Sequence, residues 1–335
     1  MTIIEINDDF DLYKIAYSGQ CFRVRDLGNG AFRFISGEHV LDIRKADNLC
    51  AENESHTAPD SIDFRDITKK SSPGLYEVSC SQAEWDSVWH YYFDLNTNYA
   101  KIRSSIPFSD KYIHNASQLG EGIRILNQDK FEMLISFIIS QRKSIPAIKS
   151  SVERICKRYG HLINCESFDS CKSCESRESC ESESAIYTFP TPYELSKATS
   201  EELAECGLGY RVPYVIEATR WAMSLDSVRP ITFNSSVGSV DSVSSVNSIS
   251  SLDSLDQFSD EELFTTLKSL YGVGDKVANC ISLFGYHRTG RAPIDTWIKK
   301  VIDDEYKGHN PFPNYGPNAG IIQQYVFYAK QHMKI

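Results

Sequence analysis

Lys276 ends the run Leu270-Tyr271-Gly272-Val273-Gly274-Asp275-Lys276, in which glycines join two apolar-periodic segments. Glycines can adopt φ > 0 and leave backbone N–H groups exposed. At the start of the next helix those groups form a phosphate grip that needs no side-chain charge, with Gly272 and Gly274 as its candidates. Lys276 falls in the first turn of that helix, where the helix dipole and partial burial would both depress an ammonium pKa. A neutral lysine amine is a nucleophile able to form a Schiff base. Nineteen residues later, Pro293-Ile294-Asp295-Thr296-Trp297 places Asp295 to cap the helix beginning at Thr296, which keeps its carboxylate ionised. An ionised carboxylate facing an amine nucleophile suits a reaction that develops positive charge on a sugar ring. Each residue also has a plainer reading: a glycine helix cap, a lysine on phosphate, an aspartate N-cap.

A second constellation is Cys165, Cys171, Cys174 and Cys180, spaced C-x5-C-x2-C-x5-C. Four thiolates so spaced could hold zinc or an iron–sulfur cluster. Against this, the segment repeats a Cys-Glu-Ser unit, and no glycine or proline shapes a ligand loop. The expectation is therefore no metal there.

The chain has 335 residues, 41% hydrophobic and 24% charged, which excludes a wholly disordered or fibrous protein. No apolar run reaches the roughly 20 residues needed to cross a bilayer. Met1-Thr2-Ile3-Ile4-Glu5 has neither a basic nor an apolar leader region, so an intracellular location is expected, in the nucleus of a eukaryote or the cytoplasm and nucleoid of a prokaryote. The net charge of −10 argues at first against a nucleic-acid partner. Its distribution reverses that: segments 165–186 and 226–256 carry most of the excess acid, whereas 101–160 holds eleven bases against five acids and 268–300 six against two. Locally basic segments can face phosphates within an acidic protein.

The elements that must hold these residues fall into two regions. In residues 1–98, Phe22–Arg25 and Phe32–Ile35 flank the turn Gly28-Asn29-Gly30, and His39–Ile43 continues the alternation. Trp85, Val88, Trp89 and Tyr92 then fall on one helical face. In residues 99–335 the pattern is helical, over Phe131–Ser140, Ile145–Tyr159, Glu201–Cys206, Pro213–Met223, Asp260–Leu270, Asp275–Tyr286, Thr296–Tyr306 and Ala319–His332. The predicted class is α+β: an antiparallel sheet domain with a helix, then a mainly helical body. Insertions interrupt it at 165–186 and 226–257; half of residues 235–254 are serine, which reads as a flexible surface segment.

Taken together, the hairpin, lysine and aspartate resemble the helix-hairpin-helix glycosylases, and within them the 8-oxoguanine DNA glycosylase/lyase family. Ser18-Gly19-Gln20-Cys21-Phe22-Arg23, Gln128-Asp129 with the helix after it, Gly207-Leu208-Gly209-Tyr210-Arg211, and Tyr315-Gly316-Pro317-Asn318-Ala319-Gly320 with Gln323 and Phe327 resemble family elements in order. The resemblance implies extrusion of an oxidised guanine from duplex DNA. It assigns the Gly19 carbonyl to the N7 hydrogen of the lesion, Cys280 and Phe327 to sandwiching the base, and Gln323 to its pairing edge. Lys276 would displace the base to give an imine, Asp295 would stabilise charge on the sugar, and β-elimination would nick the strand. Gln141, Arg142, Tyr210, Arg211 and Trp297 would contact DNA, with Tyr210 wedged at the gap and Arg211 on the orphaned cytosine.

Three features depart from the family pattern. Arg142-Lys143-Ser144 replaces an asparagine triplet, Ala147 a second cytosine-reading arginine, and Trp297 a phosphate-contacting histidine. The expected protein is a monomer with no membrane partner and no required cofactor, with room for a structural cation at the hairpin. The alternatives are a related glycosylase for another damaged base and a binder of DNA structure without chemistry. The second has no use for a buried amine at Lys276.

Overall fold

In the computed structural model, residues 1–46, 74–163, 185–226 and 251–332 are described. The cysteine set Cys165, Cys171, Cys174 and Cys180 lies outside them, as do residues 227–250. Strands β1 (Thr2–Ile6), β2 (Val24–Gly28), β3 (Ala31–Ser36), β4 (His39–Lys45) and β5 (Gly74–Val78) form one antiparallel sheet in the order β1-β5-β4-β3-β2. The turn read from Gly28-Asn29-Gly30 joins β2 to β3, with all three residues at positive φ. Asp26 helps to close it by accepting the Gly28 N–H at 2.8 Å. Across β3 and β4, Arg33 faces Asp42 in register and grips it with two bonds of 2.6 and 2.7 Å.

One side of the sheet buries Phe32, Phe34, Leu41 and Ile43 against the helix Leu12–Tyr17 and a group of rings including Trp85, Trp89, Tyr92 and Phe93. The predicted helix at Trp85–Tyr92 is present, but Trp85–Trp89 is wound as a π-helical turn. Its wider winding accompanies two tryptophans that are both almost fully buried. The expected strand at Phe22–Arg25 starts later, at Val24. Phe22 leaves the sheet and packs on Phe137 of the helical body, with ring centroids 5.5 Å apart.

The helices of the body fall close to the predicted spans. Lys130–Ile139 is capped by Asp129, whose side chain accepts the Glu132 N–H at 2.7 Å. Ile145–Tyr159, Val212–Asp226, Asp260–Lys268, Asp275–Phe284, Thr296–Tyr306 and Ala319–His332 follow around a single large core. Between sheet and body, the buried Arg124 guanidinium donates to the carbonyls of Asp9, Phe93, Asp94 and Thr97 and to the Asp8 carboxylate. A guanidinium with its donors so occupied can be buried without stranding its charge.

The reading of 226–257 as a surface insertion is corrected at its end. Ser251–Gln257 forms 3-10 turns whose Leu252 and Leu255 are each 2% exposed, in the body core. Lys130 pairs with both Asp253 and Asp256 at 2.6 Å, and the Tyr286 hydroxyl donates to the Leu252 carbonyl. Serine content hid two leucines spaced to share one face of a turn.

Candidate active site

The glycine hairpin forms as the sequence requires. Ser259 and Glu262 close a capping box on its first helix, Asp260–Lys268. Gly272 turns at φ +83, and Gly274 caps the second helix without a side-chain acceptor for the first-turn amides. Those amides remain available to an external anion. Tyr214 lies over Gly272, and a Cβ there would meet its ring at 2.4 Å. Tyr214 meets Tyr271 edge-on, 4.8 Å between centroids, and Tyr210 at 6.1 Å. Tyr210 and Tyr271 are both more than half exposed, so an aromatic ridge runs along the hairpin.

The neighbouring loops are stapled to it. The Gln141 side chain donates to the Gly272 carbonyl at 3.0 Å. Arg211 and the Tyr210 hydroxyl both donate to the Gln141 carbonyl, and the Arg211 guanidinium lies over the Tyr210 ring. Arg211 is only 5% exposed, turned inward onto Gln141 and Leu208. Lys143 ties Gly207 to the same loop through a 2.7 Å bond, while burial and nearby arginines hold its amine below the usual lysine range. Arg142 is exposed at φ +50, the left-handed region that few arginines adopt. Trp297 is half exposed on the first turn after Asp295.

Behind the hairpin stand the reactive groups. Asp295 accepts the Ile298 N–H at 2.8 Å as the N-cap of its helix, as predicted. Lys276 is half-buried, its ammonium 5.3 Å from the centroid of the Phe137 ring. Burial pushes the Cys280 thiol up, Lys276 pulls it down by charge and hydrogen bonding, and Asp295 pushes it up again. Lysine, thiol and carboxylate therefore share one electrostatic neighbourhood, and the thiol stays protonated at neutral pH.

The two ends of the chain meet nearby. Gly19 turns at φ +77 so close to Phe327 that a Cβ would sit 3.1 Å from that ring and 3.6 Å from Ile145. Gln323 is 3% exposed, and its Oε1 has no partner among the described residues. A buried carbonyl without a donor is costly, so a water or ligand donor is expected at Oε1. Phe137 links the two halves: it touches Phe22, just after Gly19, and lies beneath Lys276. Sequence reasoning passed over Phe137 and Tyr214 because both sit in ordinary helical apolar patterns.

Among the described residues no group of three or more His, Cys, Asp or Glu could hold a metal, and no helix is long and apolar enough to cross a membrane.

A glycine hairpin thus carries a lysine on its second helix and leads to a capping aspartate, while Gly19 packs on Phe327 of the C-terminal helix. The chain belongs to the HhH-GPD superfamily of base excision DNA repair proteins, whose family model matches residues 135–310. Residues 3–134 match the model of the 8-oxoguanine DNA glycosylase N-terminal domain. The N-glycosylase/DNA lyase of Saccharomyces cerevisiae is 31% identical over 188 residues, 56% of this chain and 43% of that protein. The chain thus spans less than half the length of that relative. Among solved structures, MBOgg1 in complex with a low-affinity DNA ligand superposes with a TM-score of 0.73 at 26% identity, over 98% of this chain and 94% of the other. Clostridium acetobutylicum 8-oxoguanine glycosylase/lyase, in complex with duplex DNA containing cytosine opposite the lesion, gives 0.71 at 26% identity, over 99% and 98%.

Proposed function

We propose that this protein excises 8-oxoguanine from duplex DNA and then cleaves the strand. One arrangement supports the reading: Gly19, turned at positive φ, packs against Phe327, and one helical turn before Phe327 the buried Gln323 has an Oε1 unpaired among the described residues. Oxidised guanine carries a hydrogen on N7 that guanine lacks. Against the Gly19 carbonyl that hydrogen makes a bond, whereas guanine would set two acceptors face to face, at a desolvation cost. Gln323 takes the pairing edge, and Phe327 and Cys280 hold the two faces of the ring. The hairpin amides, Tyr210 and the Gln141–Ser144 loop hold the duplex open around the extruded nucleotide.

The Lys276 amine attacks C1′ of the sugar as the bond from C1′ to the base breaks. The base leaves with the bonding pair and takes up the proton that the amine gives up. Asp295 stabilises the positive charge on the sugar during this exchange. The C1′–O4′ bond of the adduct then breaks, O4′ taking the remaining amine proton, to give the imine; the imine acidifies C2′, and loss of that proton expels the 3′ phosphate as the C3′–O bond breaks. The protein's own groups supply this chemistry, with no cofactor, in a monomer acting on intracellular DNA; a structural cation at the hairpin would stand apart from the reacting atoms.

Borohydride trapping on a duplex containing 8-oxoguanine tests the proposal. Wild type should give a covalent adduct, and Lys276→Gln should bind the same duplex without one. Undiminished trapping by Lys276→Gln would identify another amine as the nucleophile, and no trapping by wild type would remove the lyase reading.

A further inference from the structure

The helix Ala319–His332 carries two adjacent glutamines, each 3% exposed, in an otherwise apolar run. They have different surroundings. Gln323 has its Oε1 unpaired among the described residues. Gln324 reaches across to the other end of the chain, where its Nε2 donates to the Ser18 carbonyl.

The segment around Gly19 is held from both sides. Ser18 and Gln20 are fully buried. The Gln20 side chain donates to Ser18 Oγ and to the Arg124 carbonyl, both at 2.8 Å, and accepts the Leu126 N–H at 2.9 Å. Gln128 donates to the Gln20 backbone carbonyl at 3.0 Å. The peptide before Gly19 is thus clamped by Gln324 and the peptide after Gln20 by Gln128. The carbonyl between them, that of Gly19, has no partner among the described residues.

Glycine is the residue least able to hold its own orientation. Without a Cβ both of its dihedrals are soft, and the freedom that permits φ +77 also permits the peptide to swing. The aim of the Gly19 carbonyl must therefore come from its neighbours. We propose that Gln324 is a positioning residue: by clamping the Ser18–Gly19 peptide it aims the Gly19 carbonyl at the N7 edge of the oxidised base. It thereby sets recognition of the lesion without touching it. This rests on the function proposed above.

The test separates base recognition from the later chemistry. A preformed abasic site has no base to recognise, so its cleavage by Lys276 does not depend on the aim of Gly19. Gln324→Met keeps length and removes the donor. It should lower single-turnover release of 8-oxoguanine by about 10- to 100-fold, the scale expected for a misplaced contact. Cleavage of a preformed abasic duplex should stay within about twofold of wild type. Gln324→Leu, smaller and equally unable to donate, should give the same split if the methionine variant folds poorly. An equal fall in both activities would reduce Gln324 to a packing residue, and unchanged base release would also overturn the proposal. A wild-type protein that cleaves abasic duplex yet leaves 8-oxoguanine in place would overturn the proposed function itself, and this inference with it.

Discussion

Tyr214 lies across Gly272 so closely that three of its ring carbons come within 2.7 Å of where a Cβ would sit, the nearest at 2.4 Å. The same glycine turns at φ +83 and accepts the Gln141 side chain on its carbonyl. One residue thus shapes the hairpin, seats the aromatic ridge and anchors the adjoining loop.

Gly272→Ala should accordingly suffer twice, from the positive φ and from the clash. We expect a loss of about 1–3 kcal/mol in stability, together with weaker binding to undamaged duplex. Adding Tyr214→Ala removes the clash but not the backbone strain, so it should restore part of the loss. Denaturant melts and salt titrations of binding check this; a Gly272→Ala variant as stable as wild type would contradict it.

The buried Glu132 provides a pH signature. Burial pushes its carboxyl up to about 8, against the pull of Arg23 and helped by Asp129 and Glu153. In the unfolded chain it titrates near 4.5. The folded state therefore holds its proton more tightly, and the associated stability is complete below about pH 4.5 and lost as pH rises towards 8. At 1.36 kcal/mol per unit the change is a few kcal/mol in total. Urea melts of wild type should show stability declining from pH 5 to 8, while Glu132→Gln should follow a flatter line. Parallel lines for the two proteins would exclude Glu132 as the source.

Leu252 marks where the serine-rich segment ends as structure. Leu252→Ala should cost about 2–5 kcal/mol, as for other buried leucines. Deleting residues 235–250 should leave excision largely intact. Extending the cut to 254 should not, because it removes Leu252 and the Asp253 partner of Lys130. Equal folded yields from the two deletions would show that the turn contributes nothing.

The base opposite the lesion should be read loosely. Ala147 cannot donate a side-chain hydrogen bond, and Arg211 is turned onto the Gln141 carbonyl. An arginine–base contact is worth about 1–3 kcal/mol of discrimination. Its absence corresponds to roughly ten- to a hundredfold less preference for cytosine. Single-turnover excision opposite each of the four bases, at one salt concentration, should differ only modestly, and Ala147→Arg should widen the spread. Strict cytosine preference in wild type would refute the expectation.

Helices were legible where apolar spacing and caps agreed, as at Asp129, Ser259 and Asp295, each of which caps the helix that follows it. The sheet was legible only in part. The hairpin of β2 and β3 announces itself through its turn, but β1 pairs with β5, more than seventy residues away, and local alternation carries no record of that partner. At the site, spacing placed Lys276 and Cys280 one turn apart on the same helix, and the family resemblance joined Asp295 to them. Phe137 and Gln324 were not legible. A phenylalanine in an apolar helix looks like core, and the role of Gln324 depends on a carbonyl contributed by the other end of the chain. A fully buried glutamine between Ile322 and Tyr325 was the available clue.

The bond from Gln324 to Ser18 closes a loop of 306 residues. Contacts that distant form late, since the entropy of closing the loop must be met before they contribute. During synthesis the hairpin and Lys276 leave the ribosome before the helix that completes the Gly19 pocket. A chain caught at that stage would carry the proposed nucleophile without the proposed reader of damage. On the proposed reading, the ability to choose a base matures only once the helix Ala319–His332 has packed onto Ser18.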